Sequence, residues 1–159
     1  MQADNPAIVR MGYSVARLTI GHVLADKAST LGERPFLNYI PDGRRFSFRD
    51  IHRQSNALAN GMLRAGIRQG DHVAVMMENR PEQLVLYFAL GKIGAVAVPL
   101  NIAARGQLLQ YYINHSDAVA FVTESALLPH FLDVRGDTPA VRCLAVLDDG
   151  TPAVAPAPD

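Results

Sequence analysis

The 159-residue chain holds a single cysteine, Cys143. One thiol excludes an internal disulfide and any metal site built from several thiolates. Cys143 lies in the apolar run VRCLAVLD, which predicts a buried, inert thiol, and such sparing use of cysteine fits a reducing cytoplasm. Net charge is absent as well. Fifteen Lys and Arg balance fifteen Asp and Glu, and the arginines are scattered, so nothing favours nucleic acid or an anionic membrane surface. The most apolar stretch, Leu84 to Leu100, is too short and too broken for a membrane span: it contains Gly91, Lys92, Gly94 and Pro99, whereas a spanning helix takes about 20 apolar residues. No charged N-terminal segment leads into an unbroken apolar run, so no secretory signal is expected.

Signatures of chemistry are equally scarce. A phosphate loop of the G-x-x-x-x-G-K-[S/T] type fails at the only Gly-Lys pair, Gly91-Lys92, because Ile93 follows it and Leu86 stands five residues before Gly91. There is no G-x-G anywhere, which removes the dinucleotide fingerprint. Gly91 and Gly94, three apart near a helix end, predict close packing of that helix on a sheet. The five histidines, at 22, 52, 72, 115 and 130, form no i, i+4 pair and read as surface or boundary residues. His115, Ser116 and Asp117 are consecutive, and adjacent side chains at a helix end diverge, so they do not make a triad. Asp148 and Asp149 precede Gly-Thr-Pro and read as a solvated turn, and Tyr111 and Tyr112 put one ring on the core and one toward solvent. The residues thus predict no catalytic group and no metal site, and identify no cofactor-binding residue.

What the chain does have is a regular alternation of periods. Its 49% apolar and 19% charged composition suits a globular domain, and a domain of this size buries roughly 70% of the surface its unfolded chain exposes. A helix ending on Gly32 is followed by a hairpin: a strand from Phe36 to Ile40, a turn at Pro41-Asp42-Gly43 and a return from Arg44 to Phe46. Ser47 caps the next helix, with Asp50 in its first turn and Ile51, Leu58 and Met62 on its inner face, and Gly66 ends it. Gly70-Asp71 turns into the continuous apolar run Val73 to Met77, the mark of a strand covered on both faces. Asn79 as cap and Pro81 in the first turn predict a helix to about Gly94, then a strand from Ala95 to Leu100. A helix at 107–115, a strand at 117–124, a helix at 125–132 and a strand at 142–148 complete the series. Strand and helix in alternation predict right-handed crossovers and an α/β fold with a mostly parallel sheet, joined to a small N-terminal hairpin. Residues 1–147 are expected to form that unit, and the Ala/Pro-rich 148–159 a linker or tail.

In this setting the ordered blocks resemble the N-terminal region of the adenylate-forming, AMP-binding acyl-CoA synthetase superfamily. Members share a (T/S)(Y/F)-x-(E/D)-(L/I) helix start, matched by Ser47-Phe48-Arg49-Asp50-Ile51. They share G-(V/I)-x-x-G-D-x-V-(A/G), matched by Gly66-Ile67 and then Gly70-Asp71-His72-Val73-Ala74. They share N-x-P-E and K-x-G-A-x-x-V-P-(L/I)-N, matched by Asn79-Arg80-Pro81-Glu82, Lys92-Ile93-Gly94-Ala95 and Val98-Pro99-Leu100-Asn101. The likeness covers residues 35 to 125 and is nearest in flavour to medium/short-chain acyl or carnitine-type CoA ligases.

The resemblance implies an incomplete N-terminal subdomain of an enzyme that activates a carboxylic acid with ATP and magnesium and passes the acyl group to coenzyme A. The family's phosphate loop S-G-T-T-G-x-P-K, its magnesium-proximal Thr-Glu, its ribose-binding Asp and its C-terminal catalytic lysine have no counterpart in this sequence, and Lys92 is not that lysine. The matched blocks are scaffold, so no cofactor is expected to bind this chain alone, and it is expected to be inactive by itself. Asn101, in the loop at a strand's carboxyl end, is the one candidate contributor to a substrate tunnel. A truncated ligase, one half of a split ligase, a free-standing α/β binding or regulatory module and a flavodoxin-like domain all remain open. Self-association through an unfinished sheet is expected of the isolated chain.

Overall fold

The computed structural model describes residues 18–148. Asp149 and the rest of the expected tail lie outside the described residues. Helix α1 (Ile20–Leu31) leads into strands β1 (Pro35–Asn38) and β2 (Arg45–Ser47), then α2 (Phe48–Arg64). The parallel part follows: β3 (His72–Met76), α3 (Pro81–Ile93), β4 (Val96–Pro99), α4 (Gly106–His115), β5 (Ala118–Glu124), α5 (Leu128–Leu132), a 3-10 turn (Arg135–Asp137) and β6 (Cys143–Leu147). β1 and β2 pair antiparallel, and the other four strands form one parallel sheet in the order β4-β3-β5-β6.

Local sequence explains each boundary. Ser47 accepts from the Asp50 N–H at 3.1 Å while Asp50 Oδ2 accepts from the Ser47 N–H at 3.1 Å. That reciprocal box satisfies donors that a helix start would otherwise leave open. Pro41-Asp42-Gly43 turns the hairpin, with Gly43 at φ 75° and the Asp42 carboxylate accepting from the Arg44 N–H at 2.9 Å. α3 departs from expectation at its start. Arg80, not Asn79, is the capping position, and no side chain caps it. Pro81 in the first turn lowers the need for a cap because it brings no N–H. Gly94 ends α3 in the left-handed region at φ 72°, its N–H on the Leu90 carbonyl.

β3 is the centre of the molecule. Val73, Ala74, Val75 and Met76 are fully buried. Alternate side chains of the strand enter two different cores. Val73, Val75 and Met77 join Met62, Leu86, Leu90, Ala120 and Val122 on the α2/α3 side. Ala74 and Met76 join Leu109, Ile113, Phe121 and Phe131 on the α4/α5 side, where the Phe121 and Phe131 rings stack with centroids 4.3 Å apart. A third, smaller core of Leu24, Ile51 and Val85 seats α1 on α2 and α3.

Three sequence expectations change in space. Gly91 does not face the sheet: a Cβ there would collide with Ile20 Cγ2, so this glycine lets α1 cross close over α3. Cys143 is half-buried rather than buried, because β6 is an edge strand and its inner face is only partly covered. The helix expected over 125–132 shortens to Leu128–Leu132, with Ser125 drawn into a turn by its hydroxyl's bond to the Leu147 carbonyl at 3.3 Å. β4 forms the opposite edge. The Leu100 N–H reaches back to the Val75 carbonyl at 2.8 Å, so by alternation the Pro99 nitrogen points away from β3 and the ladder loses no donor there.

Replacing Gly94 by alanine forces a Cβ into the left-handed region and within 2.9 Å of Gln69 Cγ. The substitution is expected to lower unfolding free energy by about 1–2 kcal/mol, read as a reduced urea midpoint at unchanged m-value.

Candidate functional site

Parallel α/β sheets place their ligand crevices at the carboxyl ends of strands, where successive connections leave to opposite faces. Here β3 runs on into α3 on one face, while β5 runs on toward α5 on the other. The crevice between their ends is occupied by the protein itself. Glu124, the last residue of β5, is 3% exposed. Its Oε2 accepts from Arg80 Nη1 at 2.7 Å, and its Oε1 from the Glu78 N–H at 3.4 Å. Beneath them, Thr123 donates to the Met76 carbonyl at 2.9 Å. These bonds fix the β3–α3 loop to the end of β5.

From Arg80 the charges continue outward. Arg80 Nε lies 3.8 Å from Glu82 Oε2, and Glu82 Oε1 accepts from Arg44 Nη1 at 2.5 Å. Arg44 Nε in turn donates to Asp42 Oδ2 at 2.5 Å. The alternating series Glu124, Arg80, Glu82, Arg44, Asp42 therefore connects the sheet to α3 and α3 to the hairpin. Burial is the largest single influence on the Glu82 carboxyl and works against its ionised form, but the Arg44 hydrogen bond, a backbone N–H and the charges of Arg44 and Arg80 together outweigh it and hold Glu82 below the usual carboxylate range. Asp42 is also lowered, first by the Arg44 backbone N–H and then by the guanidinium.

One strand along, the ends of β3 and β4 and the hairpin enclose an open cleft of about 720 Å³. Met77, Glu78 and Asn79 supply one wall, Pro99, Leu100 and Ile102 a second, Tyr39 and Pro41 a third, with Gln83 and Tyr87 on α3 behind. Burial pushes the Tyr87 hydroxyl above its ordinary value. The candidate loop around Asn101 thus does border a cleft, although Asn101 itself is exposed and its Oδ1 accepts from the Ala103 N–H at 2.9 Å. It shapes the loop rather than lining the space.

The remaining candidates stay apart. His72 contacts the Ser116 carbonyl at 2.6 Å at the amino end of β3, and the His115 and Tyr111 rings stack on the outside of α4 at 5.1 Å. Tyr111 is exposed while Tyr112 packs on the α4/α5 core, as expected. Asp148 is exposed. Among the described residues, no three of His, Cys, Asp and Glu converge as a metal site would require. Sequence reading missed Glu124, Arg80 and Glu82 as a unit. The available signal was a carboxylate closing the apolar run AVAFVTE, where a buried charge demands a partner.

Comparison with known proteins places these features. The sequence profile of the AMP-binding enzyme family matches residues 24–158. The medium/long-chain-fatty-acid–CoA ligase FadD6 of Mycobacterium tuberculosis is 29% identical across 98% of this chain, which spans 28% of that protein. The crotonobetaine/carnitine–CoA ligase of Salmonella typhimurium is 34% identical across 59% of this chain and 18% of its own length. Among solved structures, the long-chain-fatty-acid-CoA ligase FadD1 of Archaeoglobus fulgidus superposes with a TM-score of 0.75 at 25% identity, covering 85% of this chain and 28% of that one. The N-terminal domain of FACL13 from Mycobacterium tuberculosis shares the fold, with a TM-score of 0.78 at 22% identity over 89% of this chain and 37% of that one. The chain spans less than a third of the length of these curated relatives.

Two consequences can be measured. Arg80→Met leaves the Glu124 carboxylate buried without its cation and is expected to remove about 2–4 kcal/mol of stability at pH 7, seen by urea denaturation. Arg44→Gln addresses the outer charges. Because Glu82 and Asp42 are depressed in the folded state, their contribution is present above the unfolded value of about 4.3 and is lost as pH falls through the folded values. The wild type is therefore expected to be more stable than Arg44→Gln near pH 7, and the gap to close as pH falls below the unfolded carboxylate values, in urea midpoints taken across that range.

Proposed function

Since this chain belongs to the AMP-binding enzyme family, we propose that it is the supporting N-terminal part of an ATP-dependent acyl-CoA synthetase. The complete activity joins a carboxylic acid to coenzyme A with conversion of ATP to AMP and pyrophosphate. The observation that carries this reading is the match of residues 24–158 to the family together with the parallel β4-β3-β5-β6 sheet. Fatty-acid and carnitine ligases among the relatives favour an aliphatic or small zwitterionic acid as substrate.

The residues present do not fit a triphosphate. The cleft at the ends of β3 and β4 carries Glu78 as its charged wall residue, with Asn79, Gln83, Tyr39 and Tyr87 as its polar ones, and it offers no lysine, arginine or glycine-rich loop. Magnesium and ATP belong to residues outside this chain, and no chemical step is assigned to it. Its part is mechanical: the Glu124–Arg80 pair fixes the β3–α3 loop, and that loop and the 99–102 loop present a preformed wall. We assign residues 1–147 to this subdomain and 148–159 to a linker, and place the protein in the cytoplasm. Among the described residues, no helix is long and apolar enough to cross a membrane.

A second reading, one half of a split ligase, is favoured by the groove beside β6. Leu58, Met62, Leu86, Val122, Ala145 and Leu147 line about 150 Å³ of apolar space there, and Val146 is 39% exposed on the edge strand. A further polypeptide pairing with β6 would cover this surface, and in its absence a second copy of the chain would do so.

The test is acid-dependent ATP–pyrophosphate exchange by the purified chain, alone and mixed with a polypeptide supplying the remainder of a family enzyme. No exchange is expected from the chain alone, and exchange in the mixture is expected if the halves assemble. Exchange by the chain alone overturns the supporting role.

A further inference from the structure

Lysine is rare here, with Lys27 and Lys92 the only two in the sequence. Lys92, in the last turn of α3, lies among neutral groups. Its Nζ donates to Ser55 Oγ at 2.7 Å, to Asn56 Oδ1 at 2.7 Å and to the His52 carbonyl at 3.1 Å, all on α2. No carboxylate among the described residues pairs with it. The charged or titratable groups around it are His52 from α2 and His22 from α1, which shares its pocket.

Three oxygens accept from Nζ, as many bonds as an ammonium can donate, but none of them carries a charge to offset its desolvation. The Asn56 amide turns its oxygen to Nζ, the arrangement an ammonium requires. The amide nitrogen then faces His52 Nε2, 3.1 Å away, and makes that nitrogen an acceptor. In a neutral imidazole the proton is thereby assigned to Nδ1, which lies 3.4 Å from Lys92 Nζ. An N–H directed at an ammonium is unfavourable, whereas directed at an amine lone pair it is a hydrogen bond. The stem of the lysine is covered by the first turn of α1: a Cβ on Gly21 would come within 3.2 Å of Lys92 Cγ. Desolvation brings the Lys92 amine down to about 8, and desolvation and then Lys92 itself lower His52.

The amine is also reachable. Thr19, Gly21, His22, His52, Asn56, Gly91 and Lys92 border an open pocket of about 260 Å³. Its size suits an acyl group of a few carbons rather than a long chain.

We propose that Lys92 is a modification site, a nucleophilic amine that takes short acyl groups from acyl thioesters. The Nζ lone pair attacks the thioester carbonyl carbon, the carbon–sulfur bond breaks and the thiolate leaves. One proton passes from nitrogen to solvent, and an amide remains. No oxidant or reductant takes part, and the inference does not rest on the proposed ligase activity. The amide removes the positive charge from the α1–α2–α3 junction and fills the pocket with the acyl group.

Lys27 is an internal control, since it is exposed and 3.9 Å from the Asp26 carboxylate. The intact 159-residue chain is incubated with acetyl-CoA between about pH 6.5 and 9.5, and acetylation of each lysine is followed by peptide mass spectrometry. At pH 7.5 an amine at the ordinary lysine value is about one part in a thousand neutral. Lys92 is expected to acetylate at least about tenfold faster than Lys27, with the weaker nucleophilicity of a less basic group included. The preference is expected to vanish in urea. Asn56→Asp supplies the missing carboxylate without added bulk, and is expected to slow Lys92 to the Lys27 rate while leaving Lys27 unchanged. Equal rates in the folded wild type overturn the proposal, as does a preference that persists in urea. A preference unaltered in a folded Asn56→Asp overturns the role of the cluster, and if that variant unfolds, the native-against-urea comparison of the wild type decides alone.

Discussion

Everything in this fold is arranged around a strand with no solvent-facing side. β3 has a hydrogen-bonded neighbour on each edge and a helical layer on each face, so its five residues must all be acceptable to an interior. The sequence HVAVM meets that demand with short, mostly apolar side chains and one imidazole at the strand's beginning, where it reaches the Ser116 carbonyl. The alternation of side chains then divides the interior into two cores on opposite faces of the sheet, and β5 alternates between them in the same way. A strand of this kind tolerates little: a polar replacement at Val73 or Met76 would enter a closed apolar space on one face or the other.

The same centrality explains why the polar groups of interest lie at one end. Interior positions along β3 are unavailable to charge, so charge collects where the strands stop. Glu124 is the clearest instance. It is a carboxylate at the end of a buried strand, retained with a cation and a backbone N–H from the neighbouring loop. Ion pairs farther out, at Glu82, Arg44 and Asp42, are progressively more solvated and individually weaker. What they contribute together is direction, tying the hairpin to the amino end of α3 and so setting one wall of the cleft.

Much of this was legible in the residues. The helix–strand alternation, the Ser47 cap, the hairpin at 41–43 and the doubly covered run at 73–77 follow from local chemistry, and the structure reproduces them. The errors share a cause. Asn79 has the chemistry of a cap, but the loop is held by Arg80 reaching across to Glu124, 44 residues away in sequence. Gly91 has the spacing expected of contact with a sheet, but it lies under α1, whose position depends on a separate core. Cys143 sits in an apolar run, yet an edge strand is covered less than its composition suggests. The candidate site divides the same way. The Asn101 loop was readable because it follows a strand, whereas the partners of Glu124 and Lys92 are tertiary and leave no periodic trace.

Pro99 gives the sheet a polarity. Facing outward from β4, it withholds a backbone donor from that margin, while β6 at the far side has no such interruption. A strand added beyond β6 would meet an unbroken row of backbone groups, whereas one added beyond β4 would lose a bond at Pro99.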